Sequence, residues 1–340
     1  MIKWGLVGCG DIAGKRVAPA IQSQKDSELF SVMSPHPDEV ETFKSLHLIE
    51  KGFTTLDAML ADEEISAVYV ATPVFLHYDA ALSALSTGKH VLVEKPMAMT
   101  VKECKALVNE AEKNRVKLGV AYYRRFFPTV IEARRLISEG VIGDVVFADI
   151  QFHSWYDPKK EDPKYWRVVR SKGGGGPLWD MGAHKLDLLI WMLGMPVGVS
   201  GTLKTLVHSY ETEDSCTAAL ELESGAFVNA SFHWNSAVWT DRFEILGTKG
   251  KLIFAPADGD TLQLERPPQV SIGMGKEITS MVRPAHTNVH APLVEDFVQA
   301  ILCDRDPLIS GVEGLKTNVL LAAIEESSML KQQIKVSCDM

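Results

Sequence analysis

Cysteine is scarce in this chain, and none of the five (Cys9, Cys104, Cys216, Cys303, Cys338) stands in a CxxC spacing. An odd number so spaced fits free thiols in a reducing compartment better than a disulfide framework or a cysteine zinc centre; no metal is expected. Long hydrophobic runs are missing too: none approaches the roughly 20 residues that cross a bilayer. Basic clusters are lacking. The formal net charge is -9, and Lys15-Arg16, Arg124-Arg125 and Lys159-Lys160 are isolated pairs, so a nucleic-acid partner is not expected. The opening Met1 to Gly8 has no signal-peptide pattern, which makes the cytoplasm the expected location. There is no internal repeat and no low-complexity segment.

What is present is the composition of a globular protein, 46% hydrophobic and 23% charged over 340 residues, more chain than one core usually fills. Up to residue 122, β-rich runs (Ile2 to Val7, Leu29 to Met33, Ala67 to Ala71, His90 to Val93, Lys117 to Val120) alternate with helical patterns such as Leu76 to Ser86 and Val101 to Asn114. That alternation predicts right-handed βαβ crossovers and a doubly wound parallel sheet of the Rossmann kind. Beyond a helix near Thr129 to Glu139, long alternating strands take over. Val146, Ala148, Ile150 and Phe152 face one way, as do Val228, Ala230, Phe232 and Trp234, with hairpins at Ser224-Gly225 and Gly247 to Gly250. The reading is an α/β chain: a dinucleotide-binding domain over 1–122, then an α+β domain over 123–340 with a large, mostly antiparallel open sheet. Helices are expected over Leu178 to Leu193 and near Ala291 to Leu302. An open sheet face suits subunit docking, so a homodimer or homotetramer through it is expected.

After the first strand comes Gly8-Cys9-Gly10-Asp11-Ile12-Ala13, the GxGxxA form of the dinucleotide fingerprint. Gly8 permits the tight turn, Gly10 lets backbone approach a pyrophosphate, and Ala13 lets the helix pack closely on the strand. The second strand ends Val32-Met33-Ser34-Pro35-His36 without the acid that would bind an adenosine ribose. With Lys15, Arg16 and His36 nearby, that tilts the choice between NAD and NADP towards NADP, against the negative Asp38, Glu39 and Glu41.

Two further words carry chemistry. Glu94-Lys95-Pro96 ends a parallel strand, where such sheets bind ligands. Asp180 and His184 lie four residues apart after the glycines 173–176 and share a helix face. Carbonyl reduction by a nicotinamide needs a group to protonate the product oxygen, and the reverse reaction needs one to deprotonate it. His184 is the candidate acid/base, Lys95 the group that stabilises an alkoxide, and Asp180 the orienting carboxylate; which of Lys95 and His184 transfers the proton stays open. Asp187 reads as structural. Aromatics including Tyr123, Trp155 and Trp179 suit the C–H faces of a sugar ring, and His153 suits its hydroxyls.

These words together resemble the Gfo/Idh/MocA oxidoreductases: Val7 to Ala13; Ala71-Thr72-Pro73 with His77; Gly88 to Pro96; Arg124-Arg125-Phe126 with Pro128; Trp166-Arg167; and Gly174 to Gly176 leading into Asp180-x-Gly182-x-His184. The resemblance implies a dehydrogenase or reductase acting on a sugar, sugar derivative or cyclitol. It also implies cofactor contacts at Gly8, Gly10, Asp11, Ile12, Ser34, Thr72, Pro73, His77, Glu94, Lys95, Arg125, Trp166 and Arg167. It points to His290 as well, in a stretch where relatives often carry a tyrosine near the nicotinamide. Val74 departs from the asparagine common in the family. Alternatives are a trans-dihydrodiol dehydrogenase, whose relatives tend to carry Tyr at the His184 position, and a non-catalytic dinucleotide-binding regulator, against which Lys95, Asp180 and His184 speak.

Overall fold

The computed structural model describes residues 1–257, 259–268 and 275–337, so Cys338 lies outside the described residues. The chain divides into two compact units: Met1–Tyr123 with His286–Asn318, and Arg124–Ala285 with Val319–Asp339.

The first unit carries β1 (Ile2–Val7), β2 (Ser27–Met33), β3 (Lys51–Phe53), β4 (Ala67–Val70), β5 (His90–Val93) and β6 (Leu118–Val120). They form one sheet in the order β3-β2-β1-β4-β5-β6, and every pair is parallel. The Rossmann expectation holds. Its helices include α1 (Ala18–Gln22), α2 (Pro37–His47), α3 (Leu56–Leu60), α4 (His77–Ser86) and α5 (Val101–Asn114). Strand residues such as Leu6, Val68, Tyr69 and Leu92 are wholly buried, as sheets covered on both faces require. The start of α5 is fixed by a capping box, in which the Thr100 side chain accepts from the Glu103 amide and the Glu103 carboxylate accepts from the Thr100 amide.

In the second unit α6 (Pro128–Ser138), α7 (Arg170–Gly173) and α8 (Ala183–Leu193) accompany a nine-stranded sheet. Its strands are β7 (Val145–Trp155), β8 (Pro196–Lys204), β9 (Ser215–Leu222), β10 (Phe227–His233), β11 (Asn235–Gly247), β12 (Lys251–Phe254), β13 (Thr261–Arg266), β14 (Glu277–Val282) and β15 (Ile334–Lys335). The order is β14-β13-β12-β11-β7-β10-β9-β8-β15; only β7 and β10 run parallel among the pairs described. Register sets Ala148, Ile150 and Phe152 beside Val228, Ala230 and Phe232, and all six are buried. Val146 departs from the expected face pattern: near the strand's start it is 48% exposed. Helix α8 lies on the buried side, since a Cβ at Gly182, just before it, would meet the Phe232 ring at 3.1 Å.

Two long helices follow, α9 (Ala291–Leu302), as expected from the sequence, and α10 (Gly311–Leu330), which it did not announce. Helix α9 belongs to the first unit. It buries Leu293, Val294, Phe297 and Val298, and the Phe297 ring lies 5.7 Å from that of Trp4 on β1. Phe297→Ala should therefore cost about 3–5 kcal/mol of stability through the cavity left against Trp4. Denaturant unfolding measures it, and a loss below about 1 kcal/mol would mean that this contact does not hold α9 to the sheet.

Candidate active site

The carboxyl ends of β2, β1, β4 and β5 stand side by side in the parallel sheet and carry the first set of predicted residues. Gly8 turns the chain at φ 106°, a conformation in which only glycine is unstrained, and its amide donates to Met33 O at 2.8 Å. A Cβ at Gly10 would meet nothing within 4 Å, so the backbone there lies open to a ligand. Ile12 has helical angles, and a π-helical turn over Ala13–Val17 follows, with Ala13 buried. Free amides at such a helix start suit a pyrophosphate.

Beside this turn is a cleft of about 520 Å³, with Cys9, Gly10, Asp11, Gly14 and Lys15 among its lining residues, together with Asp38, Glu39 and Phe43 from α2. Lys15 is paired with Asp11 at 2.5 Å. The Ser34 hydroxyl, buried at the end of β2, donates to the Glu39 carboxylate at 2.7 Å. Burial, with Glu39 adding to it, pushes the Cys9 thiol up to about 11, so Cys9 stays a thiol at neutral pH. The acid that the sequence lacks at the end of β2 thus arrives from the first turn of α2.

At the ends of β4 and β5, Thr72 and Pro96 each turn a carbonyl to the His77 ring. Glu94 is buried, and its carboxylate accepts from Tyr69 Oη at 2.9 Å and from the Lys95 amide at 3.3 Å. His290 Nε2 lies 3.5 Å away, too long for a strong hydrogen bond. Burial pushes the Glu94 carboxyl up, but His290, Lys95 and the Tyr69 hydroxyl outweigh it and hold it below the usual range. Tyr123 stacks on His290 with ring centroids 4.4 Å apart. Lys95, half-buried, follows Glu94 directly, and Pro73 begins the short turn that leads to His77.

In the second unit, a π-helical turn over Leu178–Gly182 precedes α8. Asp180 accepts from Arg167 Nη1 at 3.3 Å, and Arg167 lies over the Trp166 ring. His184 is 4% exposed, and buried ion pairs fix its neighbours. Lys185 Nζ lies 2.6 Å from Asp241 on β11. Asp187 accepts from Nε and Nη2 of Arg125, at 3.0 and 2.7 Å for the shortest contacts. Arg125, expected at the cofactor, thus has a guanidinium engaged in an anchor of α8. Trp179 is buried beneath the glycine run, where a Cβ at Gly175 would meet its ring at 2.3 Å. His153 bonds Ser231 and packs on His233; with Trp155 it projects from the sheet face opposite Phe152, away from the face that α8 covers. The sequence passed over Tyr156 as one aromatic among many. Its half-buried hydroxyl neighbours Arg167 and Asp180, and burial, opposed by Arg167 and aided by Asp180, raises its pKa.

A model of the oxidoreductase family with an NAD-binding Rossmann fold matches residues 2–122, and a GFO/IDH/MocA C-terminal domain model matches 130–253. The chain belongs to the Gfo/Idh/MocA oxidoreductase family. It is 29% identical to a 1,5-anhydro-D-fructose reductase of Ensifer adhaerens over 93% of this chain and 92% of that one. It is 28% identical to an inositol 2-dehydrogenase of Rhizobium meliloti over 99% of each. An aldose-aldose oxidoreductase of Caulobacter crescentus, solved in complex with glycerol, superimposes with a TM-score of 0.87 at 27% identity over 98% of this chain and 99% of that one. Among the described residues no helix is long and apolar enough to cross a membrane, and no group of three His, Cys, Asp or Glu could hold a metal.

The glycine run of this family member rests on a buried acid. Glu213 accepts from the Gly176 amide at 2.7 Å, and a Cβ at Gly176 would stand 1.9 Å from Glu213 O. Arg170 lies 3.3 Å from both Glu213 and Glu325, so two carboxylates share one guanidinium. Burial, aided by Glu325 and opposed by the Gly176 amide and Arg170, pushes Glu213 up to about 7 from 4.5. The folded chain therefore holds a proton that the unfolded chain has lost between those values. Its stabilising contribution is complete below the unfolded value and disappears as pH rises to about 7. Glu213→Gln should gain about 2–3 kcal/mol relative to the parent protein between pH 5 and pH 8. Urea midpoints across that range measure it; a pH-independent difference would refute the assignment.

Proposed function

We propose that the chain is an NAD-dependent dehydrogenase or reductase that interconverts a carbonyl and a secondary alcohol on a sugar, sugar derivative or cyclitol. The observation that carries the reading is the shared carboxyl end of the sheet: the Ser34–Glu39 pair, the open turn at Gly10, the Thr72 loop and the Glu94-Lys95 loop follow one another across β2, β1, β4 and β5. This is where a doubly wound sheet takes a dinucleotide. The substrate class rests on the relatives, whose names span anhydrofructose, inositol and aldoses. Assembly through the exposed face of the nine-stranded sheet belongs to the same proposal.

When bound, the nicotinamide supplies or accepts the hydride. The Lys95 ammonium stabilises the charge that develops on the substrate oxygen. His184, held by the pinned first turn of α8, gives that oxygen a proton or takes one from it. Asp180, steered by Arg167, accepts from substrate hydroxyls and fixes their orientation. Glu39 supports NAD over NADP: its exposed carboxylate beside Ser34 can accept from a ribose 2′-hydroxyl and would repel a 2′-phosphate. The absence of an acid directly after β2 favours NADP, but the fold supplies that acid five residues later.

Lys95→Ala should lower kcat by about 10²–10⁴ while leaving the NADH dissociation constant within about threefold. Single-turnover absorbance at the nicotinamide band, with inositols and dicarbonyl sugars as substrates, reads the first and fluorescence titration the second; a fully active variant would remove Lys95 from the chemistry. Glu39→Ala should shift the ratio of NADPH to NADH affinity at least about tenfold towards NADPH, equal to about 1.4 kcal/mol. An unchanged ratio in paired titrations would move discrimination elsewhere.

A further inference from the structure

His77 opens α4 and is only 1% exposed. Its Nδ1 lies 2.9 Å from Pro96 O and its Nε2 lies 2.8 Å from Thr72 O. Carbonyl oxygens only accept, so each nitrogen must carry a hydrogen to make its bond, and only the imidazolium carries both. In the neutral ring one nitrogen turns a lone pair towards a carbonyl at hydrogen-bond distance, which is repulsive. Thr72 lies in the loop after β4, and Pro96 follows Glu94-Lys95 in the loop after β5.

We propose that His77 is a positioning residue of the dinucleotide site: its doubly donating imidazolium ties the loop after β4 to the loop after β5, and loss of its proton releases one of the two ties. The inference rests on the reading that these loops receive the dinucleotide. The charged groups facing the ring come from the β5 loop: Glu94 favours the proton, and Lys95 opposes it. Behind Glu94 stand Tyr69 of β4 and His290. Burial is the largest influence and holds the His77 pKa below its ordinary value, while the two carbonyls and Glu94 oppose it. The doubly tied form therefore belongs to the acid side of neutrality, and the tie is released as pH rises.

The test uses the full chain labelled with ¹⁵N-histidine, with NADH as the probe. Ring ¹⁵N shifts from pH 5 to pH 8.5 should show both His77 nitrogens protonated at the acid end and one neutral tautomer at the alkaline end, with a midpoint below about 6.5. NADH dissociation constants should weaken about fivefold through the same midpoint, the size of a modest linkage. His77→Gln, which cannot donate in two opposite directions and then lose one donor, should bind NADH without that pH dependence; if it fails to fold, His77→Asn serves in its place. A neutral ring at every pH overturns the proposal, as does a substituted protein that keeps the parental pH dependence. A protein that shows the ring transition but binds no NADH overturns the dinucleotide reading, whereas NADH binding with no ring transition overturns the tie alone.

Discussion

Buried charge has to be paired, and that constraint fixes the helix on which the proposed chemistry depends. Helix α8 is apolar almost all round, yet it buries His184, Lys185 and Asp187 within four positions. Lys185 finds Asp241 and Asp187 finds Arg125. Leaving either charge without its partner would cost about 3–5 kcal/mol, whereas the intact pairs add little net stability, since desolvation offsets most of their attraction. Their consequence is geometric. At 3.6 residues per turn, Lys185 lies about 100° round the helix from His184 on one side and Asp187 about 60° on the other. Two pins on either side of His184 leave the helix one rotational setting.

Both motif helices begin with a wide turn. Ala13–Val17 follows the glycine fingerprint, and Leu178–Gly182 follows the run 173–176. In each, a small residue packs closely: Ala13 is wholly buried, and Gly182 lies against Phe232. π-helical turns concentrate at functional sites because they displace the backbone groups that an ordinary turn would bond internally. The glycines of the second run have a different task. A side chain at Gly174 or Gly175 would strike the Trp179 ring, and one at Gly176 would strike Glu213. They are small so that an indole and a carboxylate can reach the backbone, not to clear room for a ligand.

The parts legible in the sequence are those set by short-range pattern. Five parallel strands, the alternation of Ile150 and Phe152 against Gln151 and His153, and α9 all announce themselves through period and turn residues. Lys51–Phe53 stays hidden because Lys-Gly-Phe, an end strand with no buried residue, carries no apolar run, whereas the equally short Leu118–Val120 is buried throughout. The α8 region reads as one helix because a π-helical turn preserves the apolar spacing, so its wide start is invisible. The sequence names candidate site residues through motifs; contacts made only by the fold it does not show. Tyr156 gains its meaning only when strand β7 ends beside Arg167 and Asp180. Arg125 has the residue type of a phosphate ligand, and nothing local reveals that Asp187, 62 residues on, holds it. Glu39 was visible as charge but not as a partner, because the turn at Pro35 and the first turn of α2 bring it back to Ser34.

That last contact bears on how an acidic chain holds an anionic cofactor. Of the charged side chains lining the cleft beside Gly10, Asp11, Asp38 and Glu39 outnumber Lys15, and Lys15 already faces Asp11. On the proposed reading, the charge of a pyrophosphate is met by backbone amides at the start of the first helix, whose dipoles amount to about half a unit charge and do not increase with the ligand's charge. Such a site balances two phosphates through geometry. On the proposed reading, a third phosphate on the ribose would face the carboxylate that Ser34 already holds, so the charge that lines the cleft bears on the choice of dinucleotide as well as on its binding.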